Sequence, residues 1–216
     1  MTDELAERLE RCYTGVVHDV MRACGFRHFT LPPELRPLLP EKRMAGAAFT
    51  IEGMAVPAAD PHETLLAWTG LLSAAPAGYL WVCQPNDRTV ALMGELSAEA
   101  LKRKGIRGSV VDGGVRDTEF LIRLGFQTWS RFFTPRDIVG CWLPKTTGCE
   151  IRIGEVAIAP GDYLLGDRDG LVRIPRAHVG DVVTLAEATM RSENLVRNAI
   201  LSGMDPQEAY LAQGKF

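Results

Sequence analysis

Cysteine is sparse and unpaired in this chain. Cys12, Cys24, Cys83, Cys141 and Cys149 form no Cys-x-x-Cys motif and are odd in number, which argues against a thiolate zinc site or a disulfide framework. Histidine is scarcer still. His18, His28, His62 and His178 show neither His-x-x-x-His nor His-Glu-x-x-His spacing, so an imidazole zinc centre is not expected. No apolar run reaches the ~20 residues that a membrane-spanning helix needs, and no partner membrane is expected. Basic charge is not in excess either: 24 Lys and Arg stand against 27 Asp and Glu, a net charge of -3. Without a clustered basic stripe, nucleic acid is not expected as a ligand. Internal repeats and low-complexity linkers are missing too. The charged start, with Asp3, Glu4, Glu7, Arg8, Glu10 and Arg11, reads as a surface helix rather than an export signal. A reducing cytoplasm is the expected compartment.

What remains is a chain of 216 residues, 46% hydrophobic and 24% charged, enough for one compact domain over residues 1–216 with a sizeable core. Gly78 to Cys83 is a short apolar run with strand character. Ser97 to Lys104 is rich in helix formers and stops at Gly105. Ser109 to Val111 reads as a strand, Asp112-Gly113-Gly114 as a turn, Thr118 to Leu124 as a helix and Gln127 to Trp129 as a strand. The order is β-α-β-α-β, a pattern that gathers the residues following consecutive strands at one end of a sheet. The proline-rich stretch Leu31 to Pro40 reads as a loop within the domain. Near the C-terminus an amphipathic helix is expected from about Asp181, as N-cap, to Leu201, and a shorter one from Pro206 to Ala212.

The block Gly94 to Asp117, GELSAEALKRKGIRGSVVDGGVRD, carries the chemistry. Glu95 and the pair Arg116-Asp117 follow consecutive strands of the expected unit. A carboxylate is a hard ligand for magnesium or manganese, and an arginine presents a planar fork to a substrate carboxylate. Two readings fit the pair equally on local grounds: a ligand site, or a helix start capped by its aspartate. Glu95 alone also fits a first helical turn favoured by the helix dipole. His62 reads as an exposed first-turn residue and Cys83 as a small buried hydrophobe. Asp162, Asp167 and Asp169 lack the EF-hand's ligand series and read as turn residues between strands.

Several stretches together resemble the RraA-like family. Its aldolases carry an acidic residue, twenty intervening residues and Arg-Asp, as Glu95 and Arg116-Asp117 do here. Thr14 to Asp19 resembles its N-terminal Thr-x-x-x-x-Asp segment, and Met44 to Ile51 its Gly-x-Ala-x-Thr strand. Gly161-Asp162, Asp167 to Gly170 and Ile174-Pro175 resemble its late signature. The family includes class II, divalent-metal-dependent 4-hydroxy-4-methyl-2-oxoglutarate and 4-carboxy-4-hydroxy-2-oxoadipate aldolases, and also a non-catalytic inhibitor of an endoribonuclease. The resemblance implies an α/β single domain of the β-β-α swivelling type and a lyase that cleaves a 4-hydroxy-2-oxo acid to pyruvate plus a second oxo acid. Oxaloacetate decarboxylation is implied as a second activity. A Mg2+ or Mn2+ ion is expected on Asp117 directly and on Glu95 through water. Arg116 is expected to stabilise the enolate, with Gly94 and the Leu96 and Ser97 amides receiving the substrate. A homotrimer or hexamer is implied, with the C-terminal helices, about 181–212, at the subunit interface and Glu193 reaching a neighbour's metal. One departure stands out: most family aldolases have aspartate where this chain has Glu95, one methylene longer. The alternatives are a regulator of ribonuclease activity acting by protein binding, and a decarboxylase or hydrolase of another 2-oxo acid at the same site.

Overall fold

The structure is a computed structural model that describes residues 3–214. Two helices come first, α1 (Glu4–Arg11) and α2 (Thr14–Ala23), then β1 (Arg36–Pro37) and the long β2 (Met44–Ala55). The central run is α3 (Pro61–Ala74), β3 (Leu80–Gln84), α4 (Glu95–Arg103), β4 (Gly108–Val111), β5 (Gly114–Val115), α5 (Thr118–Leu124), β6 (Thr128–Ser130) and β7 (Phe132–Phe133). Five strands follow: β8 (Trp142–Thr147), β9 (Ile151–Ile153), β10 (Val156–Ile158), β11 (Tyr163–Gly166) and β12 (Leu171–Ile174). The chain closes with α6 (Val179–Leu201) and α7 (Pro206–Gln213).

Local chemistry accounts for many of these boundaries. Asp3 caps α1 by accepting from the Ala6 N–H at 3.1 Å, and acidic residues in its first turn with basic ones in its last suit the helix dipole. Asp60 caps α3 ahead of Pro61, whose missing N–H costs nothing at a helix start. α2 is capped from a distance. Asp167 accepts from both the Thr14 N–H (2.8 Å) and the Thr14 hydroxyl (2.7 Å), which ties the N-terminal motif to the late acidic block. Asp162 likewise accepts from the Ala159 and Arg176 N–H groups and from Arg173. Asp162 and Asp167 are therefore structural, as their turn reading expects, while Asp169 is exposed and donates its backbone N–H to Asp167.

The main sheet has eight strands in the order β1-β6-β4-β3-β2-β11-β12, with β8 also on β2. β2, β3, β4 and β6 run parallel to their neighbours, whereas β11, β12, β8 and β1 pair antiparallel. β2 is longer than its Met44 to Ile51 motif because its second half finds a second partner. Met44 to Ala47 pair with β11, and Ile51 to Ala55 pair with β8 across an irregularity at Glu52/Gly53. Gly53 is required there: a Cβ would sit 1.8 Å from the Trp142 ring.

Apolar residues pack on both faces of this sheet. One cluster joins Trp68, Trp81, Trp142, Leu101 and Leu121 beneath α3, α4 and α5. A second joins Leu80, Val82, Val110, Trp129 and the β9–β10 hairpin. A third packs α1, α2 and α6 on β11 and β12. Cys83 is fully buried and His62 exposed, both as expected.

Two expectations need correction. The Leu31 to Pro40 loop contains β1, which pairs with β6 at the sheet margin, a position that tolerates Pro37. The long C-terminal helix begins at Val179, not after a capping Asp181. A one-turn 3₁₀ segment, Arg176–His178, feeds directly into it, and Asp181 lies within its first turn. Among the described residues, no helix is long and apolar enough to cross a membrane.

Candidate functional site

The β3-α4-β4-α5-β6 unit places the loop after β3 and the turn after β4 at the same end of the sheet. Parallel strands in neighbouring positions require this, and such ends are the usual ligand sites of α/β sheets. Here the two loops are also stitched together. The Gly114 N–H donates to Val90 O, the Leu92 N–H to Gly114 O, and the Arg116 N–H to Met93 O. Val90, Ala91, Leu92 and Met93 are buried, so this extended ribbon is anchored in the core. Its two ends therefore lie side by side: Gly94-Glu95 on one, Arg116-Asp117 on the other.

At that junction Asp117 holds a left-handed backbone conformation, φ 55° and ψ 36°. Non-glycine residues adopt it at a cost, least for Asp and Asn, and such strain concentrates at functional sites. Its side chain makes no cap bond to α5. Instead Asp117 Oδ2 turns towards α4, accepting from the Glu95 N–H at 3.1 Å and lying 3.4 Å from Arg116 Nε. The helix-cap reading of this aspartate is thus overturned in its physical content: Asp117 begins α5 by position but serves the N-terminus of α4. Gly94 makes the approach possible. A Cβ there would stand 2.6 Å from Asp117 Oδ2 and 3.1 Å from Arg116 Cγ.

Arg116 is held from its other side by Asp137, whose Oδ2 accepts from Nη1 at 3.2 Å. Ser97 Oγ accepts from Trp68 Nε1 at 2.9 Å, which fixes the first turn of α4 against α3. These residues line one open cleft of about 510 Å³. Its polar end holds Glu95, Arg116, Asp117 and Asp137, and its remaining wall is formed largely by apolar side chains of α3, α4 and the segment around Ile138.

Glu95, Gly94, Leu96, Ser97, Arg116 and Asp117, all singled out in the sequence, meet in this cleft. The Leu96 and Ser97 amides are first-turn donors with no carbonyl one turn back to accept from them, and among the described residues neither has a protein acceptor. They are free for an anion, which the helix dipole favours. Glu193 does not line the cleft; on α6 its carboxylate accepts a hydrogen bond from the Tyr13 hydroxyl of the same chain. Sequence reasoning missed Asp137, Trp68 and Ile138. Asp137 stands in a second Arg-Asp dipeptide, Arg136-Asp137, but only the folded chain brings it to Arg116.

A hard divalent cation fits this donor set. The second oxygen of Asp117 and the whole Glu95 carboxylate have no hydrogen-bond partner among the described residues. Magnesium and manganese take oxygen donors, and magnesium is often bound through one or two carboxylates while retaining water. No group of three or more His, Cys, Asp and Glu residues suited to a metal gathers among the described residues. The chain itself therefore offers part of a coordination shell, with the remainder left to water and substrate.

An α/β sheet with an acidic, arginine-bearing cleft at the carboxyl ends of its parallel strands is the class that fold and site define. Residues 14–173 match the RraA-like family model, described as Aldolase/RraA, and the chain belongs to that family. The mixed α/β single-domain fold is the one the family resemblance implies. Among curated relatives, a protein of Methanocaldococcus jannaschii, MJ0644, is 31% identical over 124 residues, 53% of this chain and 55% of its own length. DlpA of Legionella pneumophila is 24% identical over 95% of this chain, which spans only 33% of that protein. A putative 4-hydroxy-4-methyl-2-oxoglutarate aldolase of Halalkalibacterium halodurans is 28% identical over 84% of this chain and 83% of its own. Among solved structures, a protein described as one of several novel cellulases from gut-associated microbes is 29% identical with a TM-score of 0.83, covering 88% of this chain and 86% of the other. Streptomyces coelicolor RraAS2, an unusual member of the RNase ES inhibitor RraA family, is 26% identical with a TM-score of 0.79, covering 91% and 97%.

Proposed function

We propose that this protein is a divalent-metal-dependent lyase that cleaves a 4-hydroxy-2-oxo acid between carbons 3 and 4, releasing pyruvate and a second carbonyl product. The observation that carries this reading is the pairing of Asp117 with the N-terminus of α4, which sets an arginine, two carboxylates and free helix amides around one cleft. Asp117, with Glu95 acting through water, would hold a magnesium or manganese ion, which supplies Lewis-acid polarisation of the 2-oxo group.

The chain's own residues do the rest. The Leu96 and Ser97 N–H groups receive the substrate carboxylate. Arg116, held by Asp137, is oriented without further reorganisation towards the oxygen on which negative charge develops. A water in the cleft takes the 4-hydroxyl proton as the hydroxyl becomes a carbonyl, the carbon 3–carbon 4 bond breaks, and its electron pair enters the pyruvate enolate. A proton returned from water to carbon 3 completes pyruvate, so no net proton is gained or lost. The same enolate arises when oxaloacetate loses carbon dioxide, so decarboxylation is expected as a side activity. The reading also expects a trimer or hexamer. The exposed Leu195, Leu201 and Leu211 of α6 and α7 are the kind of surface such an assembly covers.

A lactate-dehydrogenase-coupled assay for pyruvate tests the proposal. Turnover should require added Mg2+ or Mn2+, stop with EDTA, and fall by about 10²-fold or more in Asp117→Ala and Arg116→Ala. If a panel of 4-hydroxy-2-oxo acids and oxaloacetate yields no metal-dependent pyruvate, the lyase reading is wrong, and regulation by protein binding, to which the RraAS2 likeness points, takes its place.

A further inference from the structure

The two segments that end in the cleft are also gripped at their opposite ends. Asp112 follows β4 directly, and its side chain is buried. Arg88 approaches it with both terminal nitrogens, Nη1 to Oδ1 at 3.3 Å and Nη2 to Oδ2 at 3.1 Å. A two-point contact of this kind fixes direction as well as distance. Arg131, just after β6, donates from Nε to Asp112 Oδ1. Its N–H donates to Gly113 O at 2.9 Å and its Nη1 to Glu34 Oε2 at 3.3 Å. One buried carboxylate therefore ties together the chain segments that follow β3, β4 and β6.

Arg88 is not carried on a loose arm. It stands in the turn after β3, where Asp87 Oδ1 accepts from the Thr89 and Val90 N–H groups at 2.6 and 3.1 Å and so holds the turn closed. The start of the same turn is pinned by Trp142, whose Nε1 donates to Pro85 O at 2.9 Å. Downstream of Arg88 lies the Val90 to Met93 ribbon that leads to Glu95; downstream of Asp112 lies the Gly114 to Arg116 segment that leads to Asp117. Three cross-bonds join them: Gly114 N–H to Val90 O at 3.2 Å, Leu92 N–H to Gly114 O at 2.9 Å and Arg116 N–H to Met93 O at 2.9 Å. This short ladder thus has the Arg88–Asp112 pair at one end and the contact of Glu95 N–H with Asp117 at the other. β5 spans only Gly114–Val115, so its backbone bonds alone specify register weakly, and a slip of one residue would turn its side chains to the opposite face.

We propose that Arg88 and Asp112 are positioning residues. Their two-point ion pair fixes the register of the β3 loop against the β4 turn, and through that ladder it sets the meeting of Asp117 with the N-terminus of α4. Neither belongs to the described lining of the cleft, so both act through other residues. The metal and turnover arms of the test rest on the lyase reading; the exchange arm does not.

Asp112→Ala would strand Arg131 at a partly buried position and endanger the fold. Arg88 is half exposed, and Arg131 still neutralises Asp112 when it is replaced, so Arg88→Ala is the informative variant. Hydrogen exchange followed by NMR on the full chain should show the Leu92, Gly114 and Arg116 amides exchanging about tenfold faster or more, with the β11–β12 amides at wild-type rates. No acceleration overturns the proposal, and so does uniform acceleration, which a merely structural role would give. Calorimetry should show Mg2+ bound about fivefold or more weakly, and kcat/KM for pyruvate release should fall about tenfold; an unchanged Mg2+ affinity overturns the link to the site. Arg88→Lys keeps the charge but loses the two-point grip, so a deficit of about threefold in Mg2+ affinity should persist. Full recovery by lysine overturns the geometric role. Should wild-type protein bind no Mg2+ and release no pyruvate, the lyase reading fails, and the exchange pattern still decides the positioning role.

Discussion

Asp117 shows how a single residue can be legible in type and illegible in role. Its place beside Arg116, after a glycine turn and at fixed spacing from Glu95, marks it as a ligand or a cap. Choosing between these requires the left-handed backbone that points its carboxylate away from α5 and onto the Glu95 N–H. Aspartate tolerates that conformation better than most residues, so the letter alone does not reveal it. Gly94 is the complementary case: its φ of -152° is open to any residue, and the missing side chain is what matters. Gly94→Ala should push Asp117 and Arg116 from the cleft, since the new methyl would lie 2.6 Å from Asp117 Oδ2. The expected result is a loss of about 10²-fold in kcat/KM, with weaker Mg2+ binding by calorimetry and a melting temperature within a few degrees of wild type. Unaltered metal binding in this variant would show that Gly94 does not set the site. Asp137 remained hidden because its partner lies 21 positions away and across a strand; no local pattern marks an acid that will clamp an arginine.

At the scale of elements, the β-α-β-α-β unit was readable because each piece carries its own period and its own glycine stop. Strand and helix bounds agree with that reading to within a few residues. The short β1, β5 and β7 were not readable. Two-residue strands exist only through a partner, as Gly114–Val115 exists through Phe132–Phe133, and pairing is a non-local event. The second half of β2 has the same origin: β8 recruits it, and Trp142 fills the space over Gly53. Gly53→Ala should consequently cost about 1–3 kcal/mol through overpacking. Chemical denaturation would register this as a lower midpoint with an unchanged slope. A midpoint equal to that of wild type would mean that β8 can shift freely and that the junction is not tight.

For the whole molecule, the N-terminal helices are fastened to the rest by two tyrosines. The Tyr163 hydroxyl donates to Asp3 at 2.8 Å, and the Tyr13 hydroxyl donates to Glu193 on α6. Burial first, and then the carboxylate partner, pushes both phenols up from about 10 to about 12. A raised folded-state value means that the folded chain holds its proton more tightly than the unfolded one. The stabilisation is complete below about pH 10 and is lost as pH rises towards about 12. Thermal melts should fall steeply across that window, and the double variant Tyr13→Phe, Tyr163→Phe should melt lower at neutral pH but decline less on the alkaline side. Parallel decline in both proteins would exclude the tyrosines as the cause.

The sequence by itself determined the α/β alternation, the family, and the identity of Glu95, Arg116 and Asp117 as the charged residues to watch. The alternation follows from periodicity and glycine punctuation, whereas the family, and with it the choice of those three residues, follows from motifs that resemble it; all of these signals are local in the chain. The tertiary structure alone decided that Asp117 serves α4 rather than α5, that Asp137 holds Arg116, and that these charged groups share one cleft with a largely apolar remaining wall. Those features depend on contacts between segments far apart in sequence, and hydrogen bonding and packing select them only once the sheet has brought its strand ends together.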